Sequence, residues 1–377
     1  MKSSYKRLGD YILKVDERNK DYNTNLQGLS MTKEYRSSTS NIVGTDLSSY
    51  KVMRKNRFVC DFMSVIRVYK LPVVLHKSDD IAIVSPAYTT FEVNDISTLL
   101  PEYLMLWFRR SEFDRYAFFK CDSAIRGGFD WEALCDCLLP IPEIDEQRRI
   151  VGAYNTIEHR IELKRKINEN LELQMQYLFN NDLASFLAKN NLPANYNIIS
   201  LSEMAEYING LAMQNYAPNR KAESLPVLKI RELRQGYCDL NSDKCTEKLP
   251  AHITIHNGDI IFSWSGSLLV DIWTGGNAGL NQHLFNVVSN KYPKWLTYLW
   301  TKFYLANFIR IADGKKTSMG HIKREDLEAA KVVVPQELLL EQLNKKYEII
   351  FAEIVNNKIE LNTLRQICNL LLSTLSR

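Results

Sequence analysis

Residues 138–147 read LLPIPEIDEQ, and residues 332–342 read VVVPQELLLEQ, about 193 residues later. Each run joins an apolar, strand-like stretch to a proline and a Glu-Gln pair, and each leads into a long charged segment. Solenoid repeats have periods of roughly 20 to 50 residues, so this offset is too long for one. The pattern predicts two copies of a whole domain, each followed by a helix.

The same offset recurs away from these two runs. Three further matches fall in order along the chain: Phe91–Val93 with Phe285–Val287, Pro101 with Pro293, and Leu8 with Leu201. Each match is weak by itself, but the nearly constant spacing favours a duplication. The second Glu-Gln pair is offset by 195 residues instead, so we expect a slip of two residues between that motif and its helix.

The two long segments carry apolar residues at alternating spacings of four and three. The first series is Ile150, Tyr154, Ile157, Ile161, Leu171, Met175 and Leu178, interrupted by polar Lys164 and Asn168. The second series is Leu343, Tyr347, Ile350, Ile354, Asn357, Leu361, Leu364, Cys368, Leu371 and Leu375, with each first-series position matched 193 residues later. This spacing is typical of a coiled-coil seam. An ordinary amphipathic core helix is the alternative, but the shared register favours pairing of the two helices.

Lys164 and Asn357 are polar residues at equivalent positions of the two seams. A polar residue in a coiled-coil seam can fix the alignment of the helices at some cost in stability. The alternative is that both lie at the solvated end of an imperfect seam.

Composition narrows the class of protein. A chain of 377 residues has room for two or three domains, and its apolar and charged fractions are those of globular proteins. It contains no run of 18 apolar residues and no apolar signal segment, so we expect neither a membrane protein nor a secreted one. Seven cysteines without a Cys-x-x-Cys pair indicate free thiols and a cytoplasmic location.

The net charge of +4 is small, but the charge is unevenly distributed. Residues 1–77 hold 15 Lys or Arg against 7 Asp or Glu, whereas residues 78–145 hold 5 against 13. A basic face of this kind could neutralise DNA phosphates. Alternatively, the two stretches fold against each other and their charges cancel.

The predicted architecture is α+β. Residues 1–145 form a first globular domain, 146–190 a long helix, 191–335 a second globular domain and 336–377 a second long helix. Strands are expected at Ile81–Val84 and Phe91–Val93, a helix from Pro101, and turns at Gly258, Gly266, Gly275-Gly276 and Gly314.

This order of domains and helices resembles the specificity subunit of type I restriction–modification enzymes, over essentially the whole chain. The resemblance rests on Pro140–Ile150, on Asn168–Leu171 and on the second copy at Pro335–Gln342, which lacks the basic and aliphatic residues that usually follow the glutamine. The resemblance implies two target-recognition domains that each read one half of a split DNA sequence, with the helices paired as an antiparallel coiled coil between them. It also implies a subunit that is not itself an enzyme, needs no cofactor, and binds double-stranded DNA, two methyltransferase subunits and nuclease/translocase subunits.

The length of the helices fits this role. A helix of about 35 residues is roughly 50 Å long at 1.5 Å per residue. Half-sites about one helical turn apart are separated by roughly 34–36 Å. Two readers fixed to such a rod would therefore stay in register with the DNA groove.

DNA-contact candidates are chosen by residue type, because Arg and Lys reach guanine edges or phosphates, whereas hydroxyl groups mostly hold phosphates. In the first domain they are Lys33, Tyr35, Arg36, Ser37, Arg67, Tyr69 and Arg126. In the second domain they are Arg220, Lys229, Arg231, Arg234, Trp264, Ser265, Lys315, Lys316 and Thr317. We expect Lys229, Arg231 and Arg234, at near-alternate positions, to share one face of a strand. For each residue, a solvated surface side chain is the alternative.

Enzymatic alternatives find little support. The chain has neither a Gly-rich cofactor loop with a methyltransferase Asn/Asp-Pro-Pro-aromatic motif nor a Pro-Asp dipeptide that would begin a common nuclease motif. Position 309 is Ile where a phosphate loop ending at Lys315-Lys316-Thr317 would need Gly. His252 and His256 lack the Glu of a metalloprotease helix, so no metal site is expected. The runner-up hypothesis is a tandem-domain scaffold that does not bind DNA, or an enzyme with an unrecognised site.

Overall fold

The computed structural model describes residues 5–37, 44–122, 128–188, 192–218, 224–314 and 322–375. The helices are α1 (Val65–Val68), α2 (Pro101–Phe108), α3 (Ser111–Asp122), α4 (Trp131–Cys135), α5 (Ile144–Phe179), α6 (Ser185–Ala188), α7 (Leu201–Met204), α8 (Ile230–Gln235), α9 (Lys294–Gly314), α10 (Arg324–Ala329) and α11 (Glu337–Thr374). The long helices α5 and α11 and the mixture of helices and sheets confirm the predicted α+β class.

The strands are short. Those of the first half are β1 (Tyr5–Arg7), β2 (Ile12–Lys14), β3 (Gln27–Leu29), β4 (Tyr35–Ser37), β5 (Lys51–Met53), β6 (Phe58–Cys60), β7 (Val73–Leu75), β8 (Ala82–Val84), β9 (Thr89–Val93) and β10 (Leu138–Pro140). Those of the second half are β11 (Tyr196–Ser200), β12 (Glu206–Asn209), β13 (Ser224–Leu228), β14 (Lys244–Thr246), β15 (Thr254–Ile255), β16 (Ile260–Ser263), β17 (Leu269–Ile272), β18 (Ala278–Leu280), β19 (Leu284–Val288) and β20 (Lys331–Pro335).

The chain divides into two compact units. The first unit comprises Met1–His159 with Gln366–Arg377, and the second comprises Arg160–Arg365. The boundaries fall inside α5 and α11, so each unit contains one globular domain and parts of both long helices. The predicted domain limits of 1–145, 146–190, 191–335 and 336–377 remain a proposal.

Both units contain a four-stranded antiparallel sheet with the same strand order. The order is β2-β9-β6-β7 in the first unit and β12-β19-β16-β17 in the second. A second layer is also repeated, because β5-β8 and the β3-β4 hairpin, joined by a parallel bridge from Leu26 to Ile83, correspond to the sheet β14-β13-β18-β15. The duplication predicted from scattered sequence matches is therefore present in the topology of both layers.

The strands that close each domain pair in the same register. Tyr5 in β1 lies opposite Pro140 in β10, and Ile198 in β11 lies opposite Val333 in β20. Each of these two pairs converts into the other when 193 is added to both residue numbers. The offset read from the sequence therefore describes backbone pairing.

The hydrogen bonds next to these strands repeat as well. The Leu8 N–H donates to the Cys137 carbonyl over 2.9 Å, and the Leu201 N–H donates to the Ala330 carbonyl over 2.8 Å. Again all the residue numbers differ by 193. Leu8 and Leu201 are both fully buried, which explains why an apolar residue stands at this point of each copy.

The two long helices also begin 193 residues apart, at Ile144 and Glu337. This register places Gln147 opposite Leu340 and not opposite Gln342. Gln147 is fully buried, whereas Gln342 is exposed. The second Glu-Gln pair is consequently no structural counterpart of the first. The expected two-residue slip between motif and helix is wrong, because the backbone keeps a single offset throughout.

The helices pair in an antiparallel manner within each unit. In the second unit, contacts join Arg160 to Glu360, Lys164 to Asn357, and Asn168 to Ile354, so one residue number rises as the other falls. In the first unit, the Cys368 thiol donates to Glu158 over 3.7 Å. The predicted seams face each other, and Tyr154, Ile161 and Met175 of α5, like Tyr347, Ile354 and Leu361 of α11, are buried.

The end of α5 departs from regular helical geometry. Asn180–Ala184 form a π-helical turn before α6. The Asp182 carboxylate there accepts hydrogen bonds from Lys346 Nζ at 2.8 Å and from Tyr347 Oη at 2.9 Å. Isolated π turns of this kind usually adjust the direction of a side chain. This one directs the Asp182 side chain at α11.

Each domain core is aromatic and extends onto its helix. In the first unit, the rings of Phe58 and Phe91 stack with 4.9 Å between centroids. In the second unit, Trp295 at the start of α9 stacks on Tyr347 of α11 with a centroid distance of 4.1 Å. Such rings bury large apolar areas, so the core that stabilises each sheet also attaches it to a long helix.

The charge asymmetry of the first domain is largely compensated by ion pairs. Four pairs join residues 1–77 to residues 78–145: Arg7 with Asp136, Lys33 with Asp114, Lys55 with Asp79, and Arg57 with Glu92. These pairs favour the interpretation in which the two stretches fold against each other. Gly258, Gly266 and Gly276 have positive φ angles of 88°, 66° and 83°, as expected for turns, whereas Gly314 is the last residue of α9.

Candidate nucleic-acid interface

Lys33 lies in the turn between β3 and β4 and is buried. Its ammonium group donates to the Phe108 carbonyl and to Asp114 Oδ1, the latter at 2.8 Å. Burial lowers the pKa of Lys33, and the negative charge of Asp114 opposes that effect. Asp114 also accepts from the Leu71 N–H at 3.2 Å, so Lys33 and Asp114 fasten the hairpin to the segment that follows Tyr69. In this position Lys33 does not present its charge to a ligand.

The other candidates of the hairpin lie along β4. Arg36 and Ser37 are exposed, and Arg36 Nε donates to the Leu29 carbonyl at 3.0 Å across the hairpin. Tyr35 is turned inward, with its ring edge-on to His76 at 5.7 Å. Burial raises the pKa of Tyr35. The hairpin therefore presents one cation and one hydroxyl group to solvent, not the four side chains that its sequence offers.

Arg67 and Tyr69 lie at the end of α1 and are exposed. Arg67 Nη2 donates to Ser64 Oγ at 3.0 Å. Tyr69 has a left-handed backbone with φ of 58°, which is uncommon for a residue other than glycine, and its ring lies 4.7 Å from that of Phe118. Because Asp114 joins the Lys33 turn to Leu71, the structure brings the hairpin and this aromatic residue into one region of the first domain.

Lys229, Arg231 and Arg234 do not lie on a strand, and that expectation is wrong. They lie on or next to α8, which begins after Lys229 and ends at Gly236 with φ of 80°. The helix forms because Glu232 accepts from the Lys229 N–H at 3.3 Å and glycine allows the left-handed end. Lys229 is paired with Asp243, and Arg231 with Glu232 and Asp239.

Trp264 and Ser265 occupy the turn between β16 and β17. Trp264 stacks on Phe285 with a centroid distance of 5.5 Å, and Ser265 Oγ lies 3.0 Å from His283 Nδ1. Gln282 Nε2 approaches the other ring nitrogen of His283 at 3.4 Å. The structure thus adds Gln282 and His283 to this group, and Gln is a side chain that can read adenine. Sequence reasoning missed both, although the polar Asn281-Gln282-His283 run between two strands was a usable signal.

Five candidates lie outside the described residues: Arg126, Arg220, Lys315, Lys316 and Thr317. The described chain resumes at Ile322, whose N–H donates to the Trp264 carbonyl at 3.1 Å. The segment that contains three of these candidates therefore ends beside the Trp264 turn.

Each domain is fastened to its long helix by buried polar contacts. In the first unit, Gln147 Oε1 accepts from the Leu100 N–H, and Gln147 Nε2 donates to the carbonyls of Thr98 and Pro142, all at 2.8 Å. One side chain at the start of α5 thereby satisfies the loop that precedes α2. Such a fully satisfied amide fixes the helix to the domain in one geometry.

The second unit uses an ion network at the equivalent junction. Lys358 of α11 pairs with Asp271 of β17 and lies 3.6 Å from Glu172 of α5, which also pairs with Lys302 at 2.7 Å. Burial alone would lower the pKa of Lys358, but Asp271 and Glu172 outweigh it and raise that pKa. Burial would likewise raise the pKa of Glu172, and the two lysines lower it instead.

The described residues show no other obvious kind of site. Within them, no group of three His, Cys, Asp or Glu side chains is placed to hold a metal ion. None of the helices in the described part of the chain combines the length and apolar character needed to cross a lipid bilayer.

Comparison with known proteins gives consistent relatives. No family model matches the chain. It is 24% identical over 307 residues to the type I restriction enzyme MjaIX specificity subunit of Methanocaldococcus jannaschii, covering 74% of this chain and 68% of that protein. It is 23% identical over 171 residues to the type I restriction enzyme EcoBI specificity subunit of Escherichia coli, covering 45% of this chain and 35% of that protein.

A solved structure shares the fold. The S subunit of a type I restriction–modification system from M. genitalium aligns with 99% of this chain and 96% of its own, with a TM-score of 0.55 and 13% sequence identity. The resemblance predicted from the sequence is thus confirmed, since the proteins similar to this chain are specificity subunits of type I restriction enzymes. Their names also agree with the prediction of a specificity subunit that is not the catalytic one.

Proposed function

We propose that this specificity subunit reads a two-part, asymmetric DNA sequence, with one half read by each globular domain, and recruits methyltransferase and nuclease/translocase subunits. The observation that carries the proposal is the repeated frame with different readers. Backbone pairs such as Tyr5 with Pro140 and Ile198 with Val333 repeat at one offset. The candidate contact residues on that frame differ between the two copies.

Differences between the candidate surfaces support an asymmetric target. The first domain offers Arg36 on a hairpin together with Arg67 and Tyr69 at a helix end. The second offers Trp264 with Gln282 and His283 in and near a strand-connecting turn. Arg favours guanine, whereas Gln favours adenine, so two such surfaces select different bases.

The long helices suit the role of a spacer because each domain is attached to them rigidly. Gln147 in the first unit, and the stacked Trp295 and Tyr347 in the second, leave little freedom at these junctions. Sequence-specific contacts require side chains to meet base edges in fixed geometry, so a rigid attachment preserves the register of each reader. We infer that the paired helices set the distance between the two half-sites.

The test is selection from a pool of random-sequence duplexes by the purified protein with its methyltransferase partner. We expect enrichment of a motif in two parts with a constant gap. Retention of all sequences alike, or no retention, would favour the alternative of a scaffold that does not read DNA.

A second experiment separates reader from spacer. One heptad inserted at the exposed Lys166 of α5 lengthens the helix without touching either domain. We expect a changed gap and unchanged bases. A change of the preferred bases with the same gap would show that the helices, and not the domains, read the sequence.

A further inference from the structure

The second unit contains a polar cavity that the DNA-contact candidates do not explain. Its volume is about 240 Å³, and it lies between α5, α11, the end of α8 and the end of β17. Three arginines line it, Arg165 from α5, Arg234 from α8 and Arg365 from α11. Cations from three separate elements therefore converge on one cavity.

These three arginines have no counterion among the described residues. No carboxylate oxygen of the described chain forms an ion pair within 4.0 Å of Arg165, Arg234 or Arg365. Glu172 and Asp271 also line the cavity, but they are engaged by lysines. The positive charge of the three guanidinium groups is thus left uncompensated by the protein.

Arg365 is held in place by its surroundings. Its Nη1 donates to Asn362 Oδ1 at 2.9 Å, and its guanidinium group lies 5.4 Å from the centre of the Tyr237 ring. Asn362 is fixed in turn, because its Nδ2 donates to the carbonyls of Gly236 at 3.0 Å and Thr274 at 2.9 Å. The guanidinium group is therefore positioned in advance of any ligand.

The like charges disfavour one another. Burial lowers the pKa of Arg365, and the positive charge of Arg165 lowers it further. Clustered cations cost the folded state free energy unless an anion compensates them. A binding site for an anion removes that cost on occupation.

A buried acceptor adds a second feature. Asn168 lines the same cavity and is only 6% exposed. Its Nδ2 donates to the Ile354 carbonyl at 3.3 Å, and its Oδ1 has no hydrogen-bond donor in the described protein. Buried acceptors are rarely left unpaired, so this oxygen calls for a donor such as a hydroxyl group.

We propose that this cavity binds a phosphate group. A guanidinium group matches the oxygens of a tetrahedral oxyanion with two parallel N–H donors, which a rigidly held Arg365 and the flanking Arg234 provide. A phosphate that carries one proton also supplies the O–H donor that Asn168 Oδ1 lacks. The source is either the backbone of a DNA duplex or a free phosphate, and the proposal does not depend on which bases the protein reads.

The experiment is titration of the full-length protein with inorganic phosphate, followed by calorimetry in a buffer without other oxyanions. The variants are Arg234→Ala and Arg365→Gln, and Arg310→Ala on the exposed side of α9 is the matched control. Losing one charge-assisted hydrogen bond is worth about a tenfold change in affinity or more. We expect both cavity variants to bind phosphate at least tenfold more weakly and Arg310→Ala to bind like the wild type.

Thermal melts keep the result interpretable. Arg234 is exposed, so Arg234→Ala should melt like the wild type, and its phosphate affinity is then read on an intact fold. Absence of phosphate binding to the wild type, or equal binding by all four proteins, would overturn the proposal.

Duplex binding by the same proteins identifies the source. If the phosphate belongs to the DNA backbone, the cavity variants should bind duplex more weakly and lower the salt dependence of binding by about one ion per contact. If it is free phosphate, duplex binding should not change. Loss of affinity for the methyltransferase subunit without any effect on phosphate would assign the arginines to a protein carboxylate and overturn the proposal.

Discussion

Lys164 and Asn357 stand at the same position of the internal repeat and contact each other, with Lys164 Nζ donating to Asn357 Oδ1 over 2.6 Å. In an antiparallel pair of repeated helices, only residues at the local two-fold axis can meet their own counterparts. This contact therefore marks that axis within the helix pair of the second unit. Asn357 is 1% exposed, so the polar pair does not lie at a solvated end of the seam.

The Lys164–Asn357 pair should trade stability for alignment. Asn357→Leu leaves Lys164 without one of its acceptors in a mostly buried site, and we expect a loss of about 1–3 kcal/mol. The double variant Lys164→Leu, Asn357→Leu replaces the polar layer by an apolar one and should regain that loss or exceed the wild type. Chemical denaturation measures both. A double variant less stable than Asn357→Leu would contradict this account.

Gln147 should be far more important than the glutamine of the second motif. Gln147→Leu leaves the Leu100 N–H and two carbonyls without their partner, and we expect a loss of about 3 kcal/mol in the free energy of unfolding. The matched control is Gln342→Leu, at an exposed position, which should stay within about 0.5 kcal/mol of the wild type. Similar losses from both variants would restore the equivalence of the two Glu-Gln pairs.

Lys358 should be essential to the junction between the second domain and its helices. Lys358→Met leaves Asp271 without its cation and Glu172 with Lys302 alone, and breaking such a pair costs about 3–5 kcal/mol. Lys345→Met, on an exposed face of the same helix, is the control and should be nearly neutral. Thermal melts of both variants provide the measurement. Equal melting temperatures would show that the network adds no stability.

Glu17 should make the first domain sensitive to acid. Arg54, despite the opposing effect of burial, and then Arg57 lower the pKa of Glu17 to about 2. Because the folded-state pKa lies below the unfolded value of about 4.3, its stabilisation is complete above that value and disappears as the pH falls towards 2. Glu17→Gln should cost on the order of 1 kcal/mol at pH 7 and nothing near pH 2, measured by urea unfolding.

The exposed Glu348→Gln provides the comparison for Glu17. It should show no such difference between pH 7 and pH 2. A deficit of Glu17→Gln that persists unchanged at pH 2 would mean that packing, and not charge, is responsible.

Trp264 should affect one half of the DNA target only. Under the proposed function, Trp264→Ala removes the ring that packs on Phe285 beside Ser265 and His283. We expect about tenfold weaker duplex binding and a relaxed base preference in one half-site, because stacking and base contacts are each worth about 1–3 kcal/mol. Selection from random duplexes reports both half-sites at once. Equal relaxation of both would refute the division into two readers.

The two long helices were predictable because their signals are local. The seam from Ile150 to Leu178 and its copy from Leu343 to Leu375 define two helices, and the observed bounds of α5 and α11 lie within a few residues of the expected ones. A heptad pattern depends only on which residues share a helical face. The turns at Gly258, Gly266 and Gly276 are local in the same sense, because glycine permits a positive φ.

The candidate site was less predictable, because exposure and partners are set by residues far along the chain. Lys33 has the residue type of a DNA contact, but Asp114, 81 positions away, buries its charge. The Lys229–Arg234 segment has nearly the spacing of a strand face, but Glu232 and Gly236 make it a helix. His283 joined the Ser265 turn only when two neighbouring strands brought them within 3.0 Å.

By itself the sequence determined that the chain is a duplicated pair of domains with two long helices, since an offset of 193 residues and a heptad seam are properties of the chain alone. Only the tertiary structure decided that Gln147 corresponds to Leu340, that Lys164 meets Asn357, and that three arginines converge on one cavity. The physical reason is that repeats and periodicities are encoded between near neighbours. Burial, pairing and uncompensated charge arise only when distant segments are packed together.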